Sequence, residues 1–433
     1  MIVSNPQETK ASASKQEKRS GMLRRFIERP QQVWLRKAFF QIHLWAGIIV
    51  GLYVIAIGIS GSILVFKEEL FPRPNVDVGA VDTRACTPES LERVVKNVEA
   101  AHPGKEAFLT ACPSEANPLY LITIREPIKE RPGGGPPRRG APREQLAVYA
   151  HPHTGEVVGT ANREESWVNW MEEFHFNLLA GRTGRLWNGI GSAILLALLI
   201  TGLVLWWPGI KSWTRGFLLD FSKSWKRINW DLHNVAGFWS ILFTLTWALT
   251  GMYFTWPKLF EVPIQKISPI VTAKYPAEEM RRIGQRPAVE KQPLDVNAVL
   301  HKAQALSPEG YLEGYFYGGG KKPIFTVYMA RGRMGDYATT DFIYFDQNNG
   351  EHLYTWNRGQ NQTLGDWLFW LIIPLHFGTS WGPVVKWIWF TVGLALPLLT
   401  ITGFIMYWNR YLVKKWRALR RPSQKAPHRV VSA

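Results

Sequence analysis

Cysteine is scarce in this sequence, with Cys86 and Cys112 as the two examples in 433 residues. Iron–sulfur clusters and zinc ribbons need more cysteine or histidine ligands at short spacings, so two isolated cysteines exclude both kinds of site. Acidic residues are also outnumbered, 34 Asp and Glu against 51 Lys and Arg, which gives a formal net charge of +17. Such a chain is suited to nucleic acid or to an anionic membrane surface, and the hydrophobic pattern decides between them.

Charge is absent from four long apolar segments. These segments contain no Asp, Glu, Lys or Arg and cover residues 44–66, 186–210, 234–257 and 387–408. Each can cross a hydrocarbon core of about 30 Å, which needs roughly 20 helical residues. We therefore predict an all-α bundle of four transmembrane helices. The polar stretches 72–174 and 258–366 account for the slightly negative mean hydropathy of the whole chain.

Basic residues concentrate outside these spans. Residues 1–37 hold nine Lys or Arg and three acidic residues, 211–232 hold five and two, and 409–433 hold eight and none. Positive residues in short flanking segments stay in the cytoplasm, so we expect both termini and the central connector inside, and the two long loops outside. The net charge comes largely from segments that contact an anionic leaflet, and we expect no nucleic-acid partner. The polar N-terminus and the full-length first span predict no cleavable signal peptide.

Both cysteines fall in the first outer loop. An outward-facing bacterial loop lies in an oxidising compartment, so a disulfide between Cys86 and Cys112 is one expectation. Two free cysteines are the alternative.

Four histidines stand at the ends of the apolar segments, in two copies of one pattern. His43 begins HLWAG and His233 begins HNVAG, and glycines follow 4 and 18 residues later in both copies. His175 begins HFNLLAG and His376 begins HFGTSWG, and glycines follow 6 and 27 residues later in both copies. The residues around the last glycines, ITGLVLWW and ITGFIMYW, also match. The sequence therefore predicts a duplicated unit: span, outer domain, histidine-bearing segment, span.

The predicted topology places these histidines at two membrane depths. His43 and His233 begin spans that run outward, so we expect them near the cytoplasmic surface. His175 and His376 precede spans that run inward, so we expect them at the outer surface. An imidazole against apolar surface needs a polar partner or a metal, because an unsatisfied buried polar group costs about 1–3 kcal/mol. Two imidazoles meeting across a helix bundle provide the axial ligands of one haem, so the pattern predicts two haems.

The glycines of this pattern have two interpretations. Gly61 and Gly251 follow their histidines by 18 residues, which is five turns at about 3.6 residues per turn and places each pair on one helix face. Gly202 and Gly403 make a matching gap in the other two spans. Together these positions leave room for a flat macrocycle. Alternatively, they let helices approach closely, as small residues do in membranes.

Charged residues near His175 are also candidate partners of a metal or cofactor. A copper or zinc site would normally add Cys, Met or carboxylate ligands, but Glu172 and Glu173 have no counterparts before His376. Arg182 and Arg185 precede the second span on the outer side. We expect one of them to pair with a propionate of the outer haem, because Arg binds carboxylates bidentately. Contact with lipid headgroups is the alternative.

Each outer loop is predicted to be a small α+β domain, with one helix against an antiparallel sheet. The helix and strands are expected at 89–103, 119–124 and 146–159 in the first loop, with a turn at 153–155, and at 296–306, 324–330 and 341–356 in the second, with a turn at 348–350. The predicted segments are the tail 1–37, the spans 38–67, 186–210, 233–257 and 384–408, the outer domains 72–165 and 258–360, the histidine-bearing interfacial segments 166–185 and 363–382, the connector 211–232 and the tail 409–433.

The chain resembles the PepSY-associated transmembrane family from about residue 34 to 415. HLWAG and HNVAG look like that family's histidine motif, and HPHTGEVVG and FDQNNGEHL look like the end of a PepSY module. The resemblance implies two periplasmic PepSY-like domains. Members similar to this chain are inner-membrane ferric-siderophore reductases with two b-type haems. The resemblance therefore implies that His43, His233, His175 and His376 are the axial ligands of the haem irons.

The function implied by the resemblance is electron transfer across the bacterial inner membrane to a ferric siderophore in the periplasm. Because a four-span bundle can function alone, we expect a monomer. The chain has no GxGxxG after a strand, so its electrons come from an unidentified donor. No residue is expected to act as a catalytic acid, base or nucleophile. Two other classes remain open: a haem oxidoreductase acting on copper, a quinone or a periplasmic redox partner, and a non-redox PepSY protein that binds peptides or regulates a protease.

Overall fold

Four helices in the computed structural model are long and apolar enough to cross a membrane. The structure describes residues 24–126, 145–287, 292–318, 324–413 and 416. Within this part of the chain, the candidate spans are Trp34–Leu64, Gly181–Trp206, Trp225–Thr255 and Pro383–Leu412. The prediction of four membrane spans is therefore confirmed. Most of the basic tails expected at 1–37 and 409–433 lies outside the described residues.

The elements are numbered in chain order. The helices are α1 (Trp34–Leu64), α2 (Lys67–Leu70), α3 (Pro88–Ala101), α4 (Trp167–Asn177), α5 (Gly181–Trp206), α6 (Trp225–Thr255), α7 (Lys258–Ile267), α8 (Ala277–Ile283), α9 (Val296–Leu306), α10 (Leu364–Trp370), α11 (Ile372–Phe377), α12 (Pro383–Gly393) and α13 (Ala395–Tyr407). The strands are β1 (Glu106–Ala111), β2 (Tyr120–Arg125), β3 (Leu146–Ala150), β4 (Val157–Ala161), β5 (Tyr311–Tyr317), β6 (Ile324–Ala330), β7 (Thr340–Asp346) and β8 (His352–Asn357).

These elements form two compact units. The helical unit comprises Met1–Ser62, Trp187–Met252 and Phe390–Ala433, and the outer unit comprises Ile63–Leu186 and Tyr253–Trp389.

Glycines allow close helix packing in the helical unit. A Cβ atom at Gly58 would lie 2.9 Å from Pro397, and one at Gly251 would lie 2.6 Å from the Ser192 hydroxyl. Backbones that approach this closely gain dispersion contacts that larger side chains would prevent. At Gly251 the close-approach interpretation therefore holds.

The first and third spans begin earlier than their charge-free runs. Helix α1 starts nine residues before His43, and α6 starts eight residues before His233. Both histidines are therefore two turns or more inside a helix, because the helical hydrogen bonding continues through the charged first turns. Arg36 in α1 donates to the Val204 and Trp207 carbonyls at 2.9 and 3.0 Å, and these carbonyls have no helical partner at the end of α5.

The outer unit is built on one antiparallel sheet of eight strands in the order β4-β3-β2-β1-β5-β6-β7-β8. Strands β1 and β5 join the two halves, with Leu109 opposite Phe316. The side chains of α3 and α9 pack into one core with the sheet. Fully buried members of this core include Leu91, Val94, Ile122, Leu300 and Phe325. The extramembrane part is therefore α+β, as predicted.

One feature of the sheet differs from the sequence-based expectation. Strands β1 and β5 were not predicted, and each lies at the seam where the two halves meet. The sequence EAFLTA in β1 has no Val or Ile, and YLEGYFY in β5 contains Glu313 and Gly314, so neither has a clear strand pattern. The turns at 153–155 and 348–350 are confirmed, with Gly155 and Gly350 in left-handed conformations (φ 73° and 68°). Cys86 and Cys112 form the disulfide.

Candidate functional site

His43 and His233 come together in the helical unit. Their ring centroids are 6.3 Å apart and their ring planes are nearly perpendicular, at 89°. A metal–imidazole bond of about 2 Å, with a ring nitrogen about 1.1 Å from its centroid, places the centroids of two imidazoles on opposite sides of one ion about 6.2 Å apart. Edge-to-face ring packing, at about 4.5–7 Å, covers the same distance. The separation therefore fits axial ligation, and other contacts must distinguish the two arrangements.

The hydrogen bonds of this pair favour ligation. The Nδ1 atom of His43 lies 3.1 Å from both the Leu198 carbonyl and the Thr201 hydroxyl, and Nδ1 of His233 lies 2.9 Å from the Thr402 hydroxyl. Each threonine donates its own proton to the carbonyl four residues earlier in its helix, at 2.7 Å. The threonine oxygen therefore accepts, and Nδ1 of the imidazole carries the proton. This tautomer leaves Nε2 unprotonated, as metal-binding histidines require.

Gly202 and Gly403 lie against these two imidazoles. A Cβ atom at Gly202 would lie 3.1 Å from Cε1 of His43, and one at Gly403 would lie 3.3 Å from Cε1 of His233. Both glycines were expected to make room for a macrocycle. The structure shows that their hydrogen side chains first make room for the imidazole rings.

A cavity of about 1300 Å³ surrounds this histidine pair in the helical unit, and both histidines line it. Its walls are mainly apolar side chains and glycine backbone. The basic residues on its lining are Arg36, Lys37, Lys226 and Arg410. Among the described residues, no Asp or Glu lines the cavity. A large apolar molecule that carries anionic groups therefore suits its volume, lining and charge, and haem with its two propionates is such a molecule.

His175 and His376 form the second pair, in the outer unit. Their ring centroids are 6.4 Å apart and the planes are inclined by 58°. Each histidine lies in the last turn of a helix, α4 or α11. The capping residues that follow these helices, Leu178 and Gly378, are both in the left-handed conformation (φ 47° and 67°). The separation again fits two ligands of one ion.

Aromatic side chains surround the second pair. The ring centroid of Phe254 lies 4.9 Å from that of His376. The ring centroids of Phe176 and Phe377 lie 6.4 and 6.0 Å from that of Phe254. Burial, and secondarily the neighbouring His175, lower the pKa of His376 to about 3. His376 is therefore neutral at physiological pH, which is the form of imidazole that binds metal.

The acidic residues near His175 are committed to other partners. Glu172 pairs with Lys67 at 2.9 Å, and Glu173 accepts from Asn177 at 2.9 Å. In the described part of the chain, no three or more His, Cys, Asp or Glu side chains gather where they could hold a metal ion. Two histidines without a third protein ligand would suit a cofactor that fills the remaining coordination positions itself.

The span helix α5 begins at Gly181, earlier than the predicted 186, so Arg182 and Arg185 lie in its first turns, where both are exposed. Arg185 donates from Nε to the side-chain oxygen of Asn177 at 3.0 Å, and Asn177 lies two residues after His175. Arg182 lies three residues earlier on the first turn of α5. Pairing of either arginine with a propionate therefore remains a prediction.

Asp366 supports the second pair and was missed in the sequence analysis. Its carboxylate accepts backbone N–H bonds from Val271, Thr272 and Ala273 at 2.7–3.0 Å, and from Gln362 at 3.1 Å. It thereby ties the loop after α7 to α10, which leads directly into the helix of His376. Thr363 caps α10 through the backbone N–H of Asp366, so a T-x-x-D pattern marked the start of this helix. No sequence pattern marked the loop.

Comparison with known proteins assigns a family. A search of curated proteins found no match to the chain. The model of one family, described as the PepSY-associated TM region, matches residues 40–410 and thus includes all four histidines. The chain therefore belongs to the PepSY-associated TM region family.

Proposed function

We propose that this protein is a di-haem electron-transfer protein of the bacterial inner membrane that reduces ferric-siderophore chelates on the periplasmic side. The observation that carries the proposal is a repeated geometry. Two histidine pairs have ring centroids 6.3 and 6.4 Å apart, and each pair takes one histidine from each half of the chain. Chance packing would have to produce the same separation twice, at matched sequence positions.

We also infer an internal duplication, from contacts that recur in both halves of the helical unit. The threonine that bonds each inner histidine directly precedes the glycine that contacts its ring, as Thr201 with Gly202 and Thr402 with Gly403. Neither half forms a histidine pair by itself, because each half supplies only one ligand of each pair. Outside the membrane, the two halves likewise share one sheet.

In this proposal, His43 and His233 hold one haem and His175 and His376 hold the other. Each bound haem supplies an iron that carries one electron at a time. Thr201 and Thr402 keep the inner imidazoles in the ligating tautomer. The basic residues of the cavity compensate the charge of the propionates, because a buried anion without a partner is costly.

The direction of electron transfer follows from the charge distribution. The inner pair lies on the side of the basic connector, where a reductant in the cytoplasm or membrane reaches it, and the outer pair lies on the periplasmic side. A ferric chelate there gains one electron and becomes ferrous, which weakens its bonds to hard oxygen ligands. The choice of a siderophore rests on the resemblance to known reductases of this family, and copper, a quinone or a periplasmic redox partner could receive the same electron.

The first experiment tests haem binding. The purified protein should show the sharp reduced absorption bands of haem with two imidazole ligands. Alanine at any one of the four ligand histidines should remove about half of the pigment, since each pair holds one of two haems. His301→Ala is a matched control, because this exposed histidine in α9 pairs with Glu89. A colourless protein, or undiminished colour in all four variants, would contradict the proposal and favour the non-redox class.

The second experiment tests the substrate. Protein reduced with dithionite and freed of excess reductant is mixed anaerobically with a ferric siderophore, and reoxidation is followed by absorbance. One ferric ion should be consumed per haem oxidised, with ferrous iron trapped by a chelator. Haem that is reoxidised by copper or a quinone but not by any ferric chelate would keep the redox function and reject the substrate.

A further inference from the structure

Helix α7 directly follows the third membrane span and has two different faces. On one face, Ile264 packs with Phe369 and Ile372 in a buried apolar cluster of the outer unit. Away from this cluster, Leu259 and Val262 lie three residues apart on one side of the helix and are 58% and 47% exposed, and Ile267, its last residue, is 70% exposed. Large apolar side chains at this exposure, on a helix that already has a core face, indicate a contact beyond the protein itself.

Helix α10 packs against α7 and extends the exposed apolar surface. Leu364, Trp367 and Leu368 are 57%, 50% and 38% exposed, and the last two follow Leu364 by three and four residues, which places all three on one side of the helix. The opposite side holds the buried Phe369 and Asp366. The apolar platform is defined by Leu259, Val262, Ile267, Leu364, Trp367 and Leu368.

The chain path places this platform near the membrane surface. Helix α7 begins at Lys258, three residues after Thr255 ends the span. Three residues reach at most about 11 Å. Interfacial helices bury their apolar faces about 5–10 Å into the boundary between headgroups and acyl chains. The start of α7 therefore lies within about 11 Å of the end of this span.

We propose that the apolar platform lies in the headgroup region of the outer leaflet and that its partner is the phospholipid surface. Lys258 and Lys266 are exposed on α7, where they can reach lipid phosphates while their stems follow the apolar face. Trp367 has the side chain that is enriched at this depth. The platform thereby anchors α10 at the membrane, and α10 leads directly into the helix of His376.

Spin labelling tests this contact in the full chain. The two native cysteines are joined in the disulfide, so a cysteine introduced by Val262→Cys or Leu364→Cys is the single free thiol. Each labelled variant is placed in nanodiscs of phosphatidylethanolamine and phosphatidylglycerol, and collisions with oxygen and with a water-soluble nickel chelate are measured. Ala305→Cys is the control, because Ala305 is exposed on α9 of the same unit.

The labels at Val262 and Leu364 should collide severalfold more with oxygen than with nickel, and the label at Ala305 should show the reverse. Nickel collisions equal to those at Ala305 would overturn the proposal. Shielding from both reagents would also overturn it, since it would indicate a protein partner. Should the variants misfold, the unmodified protein is reconstituted with a photoactivatable phospholipid, and cross-links at 258–267 and 364–370 are expected. Absence of these cross-links, with the four spans labelled, would reject the contact.

Discussion

The hydroxyl of Thr402 is predicted to hold the inner haem through His233. Replacing Thr402 by Val keeps the shape of the side chain and removes the oxygen 2.9 Å from Nδ1 of His233. One hydrogen bond contributes about 0.5–1.5 kcal/mol, and loss of such a supporting partner lowers metal affinity about 10- to 100-fold. We expect the affinity for the inner haem to fall about tenfold. We also expect its reduction potential to rise, because an imidazole that no longer donates from Nδ1 is a weaker electron donor to ferric iron.

The assay measures haem transfer to excess apomyoglobin by absorbance, together with a redox titration. Thr246→Val is the matched control, because Thr246 lies in α6, the helix of His233, and its hydroxyl donates to the Leu242 carbonyl at 2.9 Å. Thr201→Val should change both quantities in the same direction as Thr402→Val. The reasoning is refuted if both variants release haem as slowly as the control and keep the wild-type potentials.

Three further predictions concern packing and pH. Gly202→Val should remove about half of the pigment, because even a Cβ atom there would lie 3.1 Å from the ring of His43; full pigment would show that the ring can move aside. Burial raises the pKa of Glu313 to about 7, above an unfolded value of about 4.3. The folded outer unit therefore holds this proton more tightly, and its stability should fall as pH rises from about 4.3 to about 7. Glu313→Gln should abolish this contribution in thermal melts recorded across that pH range. Burial alone would raise the pKa of Asp366, but its four backbone N–H donors lower it overall. The contribution of the Asp366 carboxylate to the stability of the outer unit should therefore be present above a pH of about 4 and be lost in acid. Asp366→Asn should cost about 1.5–3 kcal/mol at neutral pH and weaken that acid dependence; an unchanged melting profile would contradict this role.

The amino-acid sequence by itself determined the features that depend on local pattern. Uncharged runs of more than twenty residues predicted the four spans, because each must satisfy the length and polarity of the bilayer core. Alternating apolar residues and glycine turns located the second, third and fourth strands of each half, although not the first. The repeated motifs predicted which histidines would meet, and the structure brings His43 to His233 and His175 to His376.

Only the tertiary structure decided the contacts between distant segments. The β1–β5 pairing joins strands whose own sequences carry weak strand patterns. Thr201 and Thr402 bond imidazoles 158 and 169 residues earlier in the chain, and Asp366 bonds backbone groups more than 90 residues away. The physical reason is that a hydrogen bond depends on the position and direction of two groups in space. Local hydrophobic periodicity places a side chain on a face of its helix or strand, but it contains no information about which distant group will lie opposite.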